Sequence, residues 1–235
     1  MPKQALLLFL SSLIALVLAS ASAPAGRSSP RPADFTARVD NQWFPLTPGT
    51  TYVYRGSDAG RPSRDVFTVT HRTRRVDGVP CVVIEDRFYV SGRLAERTTD
   101  WYSQDKQGNV WYFGEATANL DENGHVTSTE GSWEAGRDGA QAGIFMPARP
   151  KVGQSFRQEF YKGHAEDHFQ VVGLRASVRT PYVSSTRALL TKEWTPLEPG
   201  VIDHKVYVHT IGTVLEQTIK GGSERNELVS VRRGK

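Results

Sequence analysis

Apolar and β-branched residues in this chain come in short runs cut by Gly, Asp, Asn and Pro, and no window holds a long helical period. Val82, Ile84, Phe88 and Val90 share one parity, with Asp86 interrupting it, which predicts a strand with one wet face. The same reading predicts strands over 66–73, 79–90, 94–102, 110–113, 126–133, 155–161, 166–178, 188–194, 201–209, 213–219 and 227–231. A further β-prone run, containing Tyr52, Val53 and Tyr54, follows the turn at Pro48 and Gly49. Asp77-Gly78, Ser91-Gly92, Asn123-Gly124 and Gly221-Gly222 fall between runs at hairpin positions. Residues 135–142, rich in Ala, Gly and Gln, suit one short helix or a loop. Many short strands joined by tight turns predict an all-β protein: a strongly curved antiparallel sheet forming a barrel or half-barrel, with a two-sheet β-sandwich as the alternative.

The densest aromatic stretch is 100–115, which places Trp101, Tyr102, Trp111, Tyr112 and Phe113 on two strands around a turn from Asp105 to Asn109. Facing aromatics on paired strands add roughly 0.5–1.5 kcal/mol each beyond area burial. This hairpin is therefore the expected centre of the core. Pro45-Leu46-Thr47-Pro48-Gly49 and Pro196-Leu197-Glu198-Pro199-Gly200 repeat one device for turning the chain into a strand.

The N-terminus changes the picture of where the chain works. Lys3, a nearly unbroken apolar run over 5–18 and the small residues Ala19, Ser20 and Ala21 have the three-part layout of a secretory signal peptide. The run is shorter than the roughly 20 residues of a spanning helix, and no later segment approaches that length. The expected organisation is a signal peptide over 1–21, a flexible Pro, Ser and Arg-rich leader over 22–34, and a single β-rich domain over 35–235, secreted or extracytoplasmic. The single cysteine, Cys81, sits among Val79, Val82, Val83 and Ile84, which suits a buried inert thiol; stability must come from packing. The net charge of +4 is spread out rather than massed, so no nucleic-acid partner is expected.

Candidate chemistry is sparse. No G-x-S-x-G elbow, phosphate loop or dinucleotide fingerprint is present, and catalytic residues stay unassigned. His164, Glu166, Asp167 and His168 carry metal-ligand side chains, but on a strand residues four apart lie about 13 Å from each other. His204 and His209 are the other potential donors; no metal and no cofactor is assigned. The glycine-rich stretch 130–139 holds Glu130, Trp133, Glu134 and Asp138 next to the aromatic hairpin and Glu115. Carboxyls beside Trp suit a sugar-binding groove or a glycosidase. The expected ligand-facing residues are Trp101, Trp111, Tyr112, Glu115, Trp133 and Glu134.

At the C-terminal end, Lys205-Val206-Tyr207-Val208-His209-Thr210-Ile211-Gly212-Thr213-Val214-Leu215-Glu216, with Gly221-Gly222 and Glu227-Leu228-Val229-Ser230, resembles a hairpin of exported bacterial half-barrel proteins of the lipoprotein-carrier kind. The segments 43–54, 100–115 and 147–161 resemble uncharacterised exported actinobacterial β-rich proteins of unassigned function. That resemblance implies a curved antiparallel sheet and transfers no catalytic residue. The leading expectation is a secreted binding or scaffold protein accommodating a small hydrophobic or amphipathic molecule or lipid. Two alternatives stand beside it: a secreted hydrolase, glycosidase-like or metal-assisted, acting through Glu115, Glu130, Glu134 or Asp138, and a cell-wall or surface interaction module.

Overall fold

The computed structural model describes residues 31–234; the expected signal peptide and the first part of the leader lie outside them. Pro32–Asp34, within the stretch read as a leader, forms a single 3-10 turn held by a 2.7 Å contact of Lys106 Nζ with Asp34 Oδ1.

Sixteen strands follow: β1 (Phe35–Thr36), β2 (Thr51–Asp58), β3 (Arg61–Val76), β4 (Val79–Val90), β5 (Arg93–Asp105), β6 (Val110–Leu120), β7 (Val126–Ser128) and β8 (Trp133–Glu134). They continue with β9 (Gln141–Met146), β10 (Ser155–Arg157), β11 (Glu159–Phe160), β12 (His168–Arg179), β13 (Ser184–Trp194), β14 (Ile202–Val208), β15 (Gly212–Lys220) and β16 (Arg225–Arg232). One continuous path runs β10-β12-β13-β14-β15-β16-β2-β3-β4-β5-β6-β9-β11, with β1 on β5 and β7 and β8 on β6. The sheet is antiparallel and nearly closed into a barrel, as the hydrophobic pattern predicted; the sandwich alternative falls away.

The two ends of that path belong to one extended segment. β10 pairs with β12, β11 pairs with β9, and only Gln158 separates β10 from β11. Gln158 N donates to Asp167 O at 2.7 Å. On the other side a Cβ at Gly143 would stand 2.2 Å from Arg157 O, so only glycine lets β9 approach this closely. Covalent continuity over 155–160 thus bridges the gap that a strand ladder leaves open, and removes most of the exposed edge.

Turn chemistry sets the hairpins. Asp77 and Gly78 (φ 48° and 76°) and Ser91 and Gly92 (φ 50° and 81°) adopt the left-handed pairs that two-residue connections require. Asp105 organises the aromatic hairpin: its Oδ1 accepts from Gln107 N and Asn109 N at 2.9 Å, and its Oδ2 from Asn109 Nδ2 and Trp111 Nε1 at 2.8 Å. The stretch 135–142 holds no helix. Gly136, Asp138 and Gly139 have φ of 83°, 50° and 83°, which a helix cannot accommodate, and β9 begins at Gln141.

The core comprises inward side chains of nearly every strand, among them Val69, Ile84, Met146, Phe169, Leu189, Tyr207 and Leu228, each at most 1% exposed. Cys81 is fully buried and unpaired, and burial pushes its thiol up to about 12, the inert state its neighbours predicted.

Candidate functional site

Two-residue alternation along the central strands brings chosen side chains to one inner surface. Tyr52 and Tyr54 of β2, Asp65 and Phe67 of β3, Asp86 of β4, Asp100 and Tyr102 of β5, and Lys205 of β14 all line a cavity of about 250 Å³. Tyr112 and Glu115 join them from β6, although three residues apart they would face opposite ways on a regular strand. A register shift in the β5–β6 ladder resolves this: Asp100 pairs with Glu115, and Tyr102 with Tyr112. The bulge falls at Gly114 (φ 134°), where an added Cβ would stand 2.3 Å from Trp133 O.

Part of the cavity lining is aromatic. Tyr102 stacks on Tyr112 at 4.6 Å between ring centroids, Phe145 meets Tyr102 at 5.1 Å, and Phe44 meets Phe145 at 4.6 Å. The polar part of the lining is acidic. Asp65, Asp86, Asp100, Glu115, Glu159, Asp167 and Glu216 face the space, and Lys205 is the only cationic residue among the lining. That ammonium is already engaged, 3.0 Å from Glu193 Oε2 and 3.3 Å from Glu216 Oε1. A second opening shares Glu115, Glu159 and Asp167 with the cavity and adds Glu96, Glu130 and Glu198 around its rim. A chain with an overall positive balance therefore holds a strongly acidic interior and mouth.

So many carboxyls cannot all ionise out of water. Burial, reinforced by Asp86, pushes Asp100 up to about 8, despite a 2.6 Å hydrogen bond from Tyr112 Oη. Burial, reinforced by Asp167, pushes Glu159 up to about 8, although Trp133 Nε1 donates to its Oε2 at 2.6 Å. Asp100 and Glu159 are each only 6% exposed, which is why desolvation outweighs those donors. Burial also raises Glu115 well above the ordinary carboxylate range, with Asp100 and Glu159 adding to it. Asp65 and Asp86 form a pair: burial dominates both, lifting Asp65 to about 6 and Asp86 well above its usual range, and Asp65 stabilises the proton on Asp86. With both ionised, Asp65 Oδ1 is a buried oxygen without a donor. One shared proton satisfies it.

The residues expected from sequence separate into groups. Tyr112 and Glu115 line the cavity. Trp133 stands behind its wall, edge-on to Tyr112 at 5.4 Å and bonded to Glu159. Trp101 and Trp111, adjacent to inward residues, lie on the opposite face of the sheet. There Arg74 covers Trp101 at 4.0 Å and pairs with Glu134 at 2.7 Å, while Trp111 packs edge-on against Phe35 at 5.8 Å. Of the loop acids, Glu130 sits at the rim, 2.8 Å from His164 Nδ1, and Asp138 is exposed in its turn. The histidines are engaged separately: His168 stacks on Trp194 at 5.6 Å, and His204 is registered with Lys192. Among the described residues no group of three or more His, Cys, Asp or Glu side chains could hold a metal ion.

Sequence reasoning passed over Asp65, Asp86, Asp100 and Glu159 as site residues, and weighed Asp167 only as a metal donor. The signal was present in Asp86, an acid at an apolar parity of β4, and in the matching acid-x-aromatic steps Asp65-Phe67 and Asp100-Tyr102.

No protein family and no curated protein matches the chain. Two solved structures are similar in shape. A protein described as exported, with a YmcC-like fold, from Bacteroides fragilis is 14% identical, with TM-score 0.48 over 82% of this chain and 100% of its own. A protein described as a lipoprotein, from Parabacteroides distasonis, is 12% identical, with TM-score 0.44 over 82% of this chain and 100% of its own. Fold and site therefore rest on this chain's own geometry.

Proposed function

We propose that the protein is an exported binding protein whose barrel takes up a small amphipathic molecule. The observation that carries this reading is the cavity itself: about 250 Å³, lined by aromatic rings together with hydrogen-bonding side chains. Pockets for small molecules commonly combine an apolar lining with a few polar groups that fix orientation, over about 300–1,000 Å³. This cavity lies just below that range, which suits a short-chain or single-ring ligand. The signal-like N-terminus and the half-barrel resemblance of the C-terminal hairpin support an extracytoplasmic carrier. Native mass spectrometry of protein purified from its own host is the direct test. A stoichiometric small adduct is expected; recovery of the bare chain, with no quenching of cavity tyrosine fluorescence by a library of small amphiphiles, would overturn the reading.

A hydrolase is the second reading, favoured by Asp100, Glu115 and Glu159, which burial keeps in the protonated form a general acid needs. It predicts turnover of aryl glycosides that is lost in Glu115→Gln; absence of turnover between pH 5 and 8 would remove it.

A further inference from the structure

The cavity's chemistry narrows the ligand class, an inference that rests on the pocket reading above. We propose that the barrel selects a small organic cation, an aliphatic ammonium ion with an apolar tail, seating its N–H donors at the Asp65–Asp86 pair and its tail against Tyr102, Tyr112 and Phe145.

Three observations converge on this class. First, seven carboxyls face the space, and the lone lining cation, Lys205, is already spanned by Glu193 and Glu216, so the lining offers no unengaged positive charge. An anionic ligand would find no free cation to pair with, whereas an ammonium ion can replace a proton that burial holds on these carboxyls and leave a compensated ion pair. Second, Asp65 Oδ1 is a buried oxygen with no hydrogen-bond partner when its neighbour is ionised, and it belongs to the cavity wall. An ammonium N–H can occupy the place of the shared proton. Third, ring faces stand on the same cavity, and they attract a cation and accept an alkyl chain equally well. A compact metal ion fits less well, because no three acids or histidines among the described residues gather around a point. The rim acids Glu96, Glu130 and Glu198 would concentrate cations at the opening.

Binding then displaces a proton to solvent. The groups facing the Asp65–Asp86 pair are Asp100 and Glu96 from β5, Glu216 from β15 and Tyr54 from β2. None of these is a cation, so nothing already present does the ligand's work. Affinity should therefore rise with pH while the ligand itself stays charged, since aliphatic ammonium groups titrate near ~10.4.

Calorimetric titration of the full barrel with hexylamine hydrochloride, 1-hexanol and sodium hexanoate at pH 7 tests this. Hexylammonium is expected to bind at least ~10-fold more tightly than hexanol, and hexanoate more weakly than either. Lowering the pH from 7 to 5 should weaken hexylammonium alone, by up to ~10-fold per pH unit for one released proton. Asp65→Asn should bring hexylammonium within ~2-fold of hexanol while hexanol binding is kept; Asp86→Asn serves if that variant does not fold. Equal binding of the three probes, or a preference that survives both substitutions, would overturn the cation inference and leave the pocket standing. No binding of any probe also overturns it, and the adduct measurement above then decides the pocket separately.

Discussion

Tyr112 Oη donates to Asp100 Oδ1 at 2.6 Å, joining an aromatic and an acidic residue of the cavity lining through one hydrogen bond between β5 and β6. It is the donor that Asp100 depends on when ionised. Tyr112→Phe removes it, and the expected loss is about 1–2 kcal/mol at pH 8, where the carboxylate needs the donor, and less at pH 5. Urea denaturation at the two pH values measures the difference.

The buried acids set the pH dependence of stability. Asp100 and Glu159 titrate near 8 when folded, against ordinary values of 3.8 and 4.5, and Asp65 near 6 against 3.8. Between the lower and upper values the folded chain keeps protons that the unfolded chain has released, so stability falls as pH rises. Each such group contributes a slope of about 1.4 kcal/mol per pH unit within its window. Half-exposed His204, whose pKa burial lowers, opposes this only weakly as pH passes its ordinary 6.5. Thermal unfolding is expected at a higher temperature at pH 5 than at pH 8; the reverse order would contradict the burial of these carboxyls.

Asp100→Asn keeps the shape and the acceptor for Tyr112 but cannot ionise. It should gain about 2 kcal/mol at pH 8, because an isosteric amide removes a buried like charge, and change little at pH 5. Denaturant midpoints across pH would show a flatter profile than the parent chain.

Gly114→Ala tests the bulge that turns Glu115 inward. The new Cβ would meet Trp133 O at 2.3 Å, at a φ of 134° that side chains avoid. The expected cost is about 3 kcal/mol. Release of the β8 segment should appear as faster amide exchange at Glu134 and Ala135.

Arg74→Ala addresses the opposite face. It removes the guanidinium over Trp101 and one of two partners of Glu134, which keeps Arg137 at 3.3 Å, at a cost of about 1 kcal/mol, and should leave binding in the cavity unchanged. A loss of ligand affinity in this variant would return Trp101 and Glu134 to the ligand-facing set.

Local chemistry by itself determined the class of fold and the punctuation of the chain. Period-two alternation in β4 and the dipeptides Asp77-Gly78 and Ser91-Gly92 act within a few residues, so strand and hairpin were legible without any neighbour. The burial of Cys81 followed from its flanking valines and isoleucine in the same way. Which face each strand turns inward was a different matter. At Gly114 one extra residue reverses the parity along β6 and carries Glu115 to the inside with Tyr112, while Trp101 and Trp111, each next to an inward tyrosine, take the outer face. Closure through 155–160 brought Glu159 and Asp167 to acids from strands far away in sequence, inside a space where burial raises them and like charge adds to it. Alternation is a property of neighbours along the chain; charge repulsion and cavity shape are properties of neighbours across space, and those the barrel alone supplies.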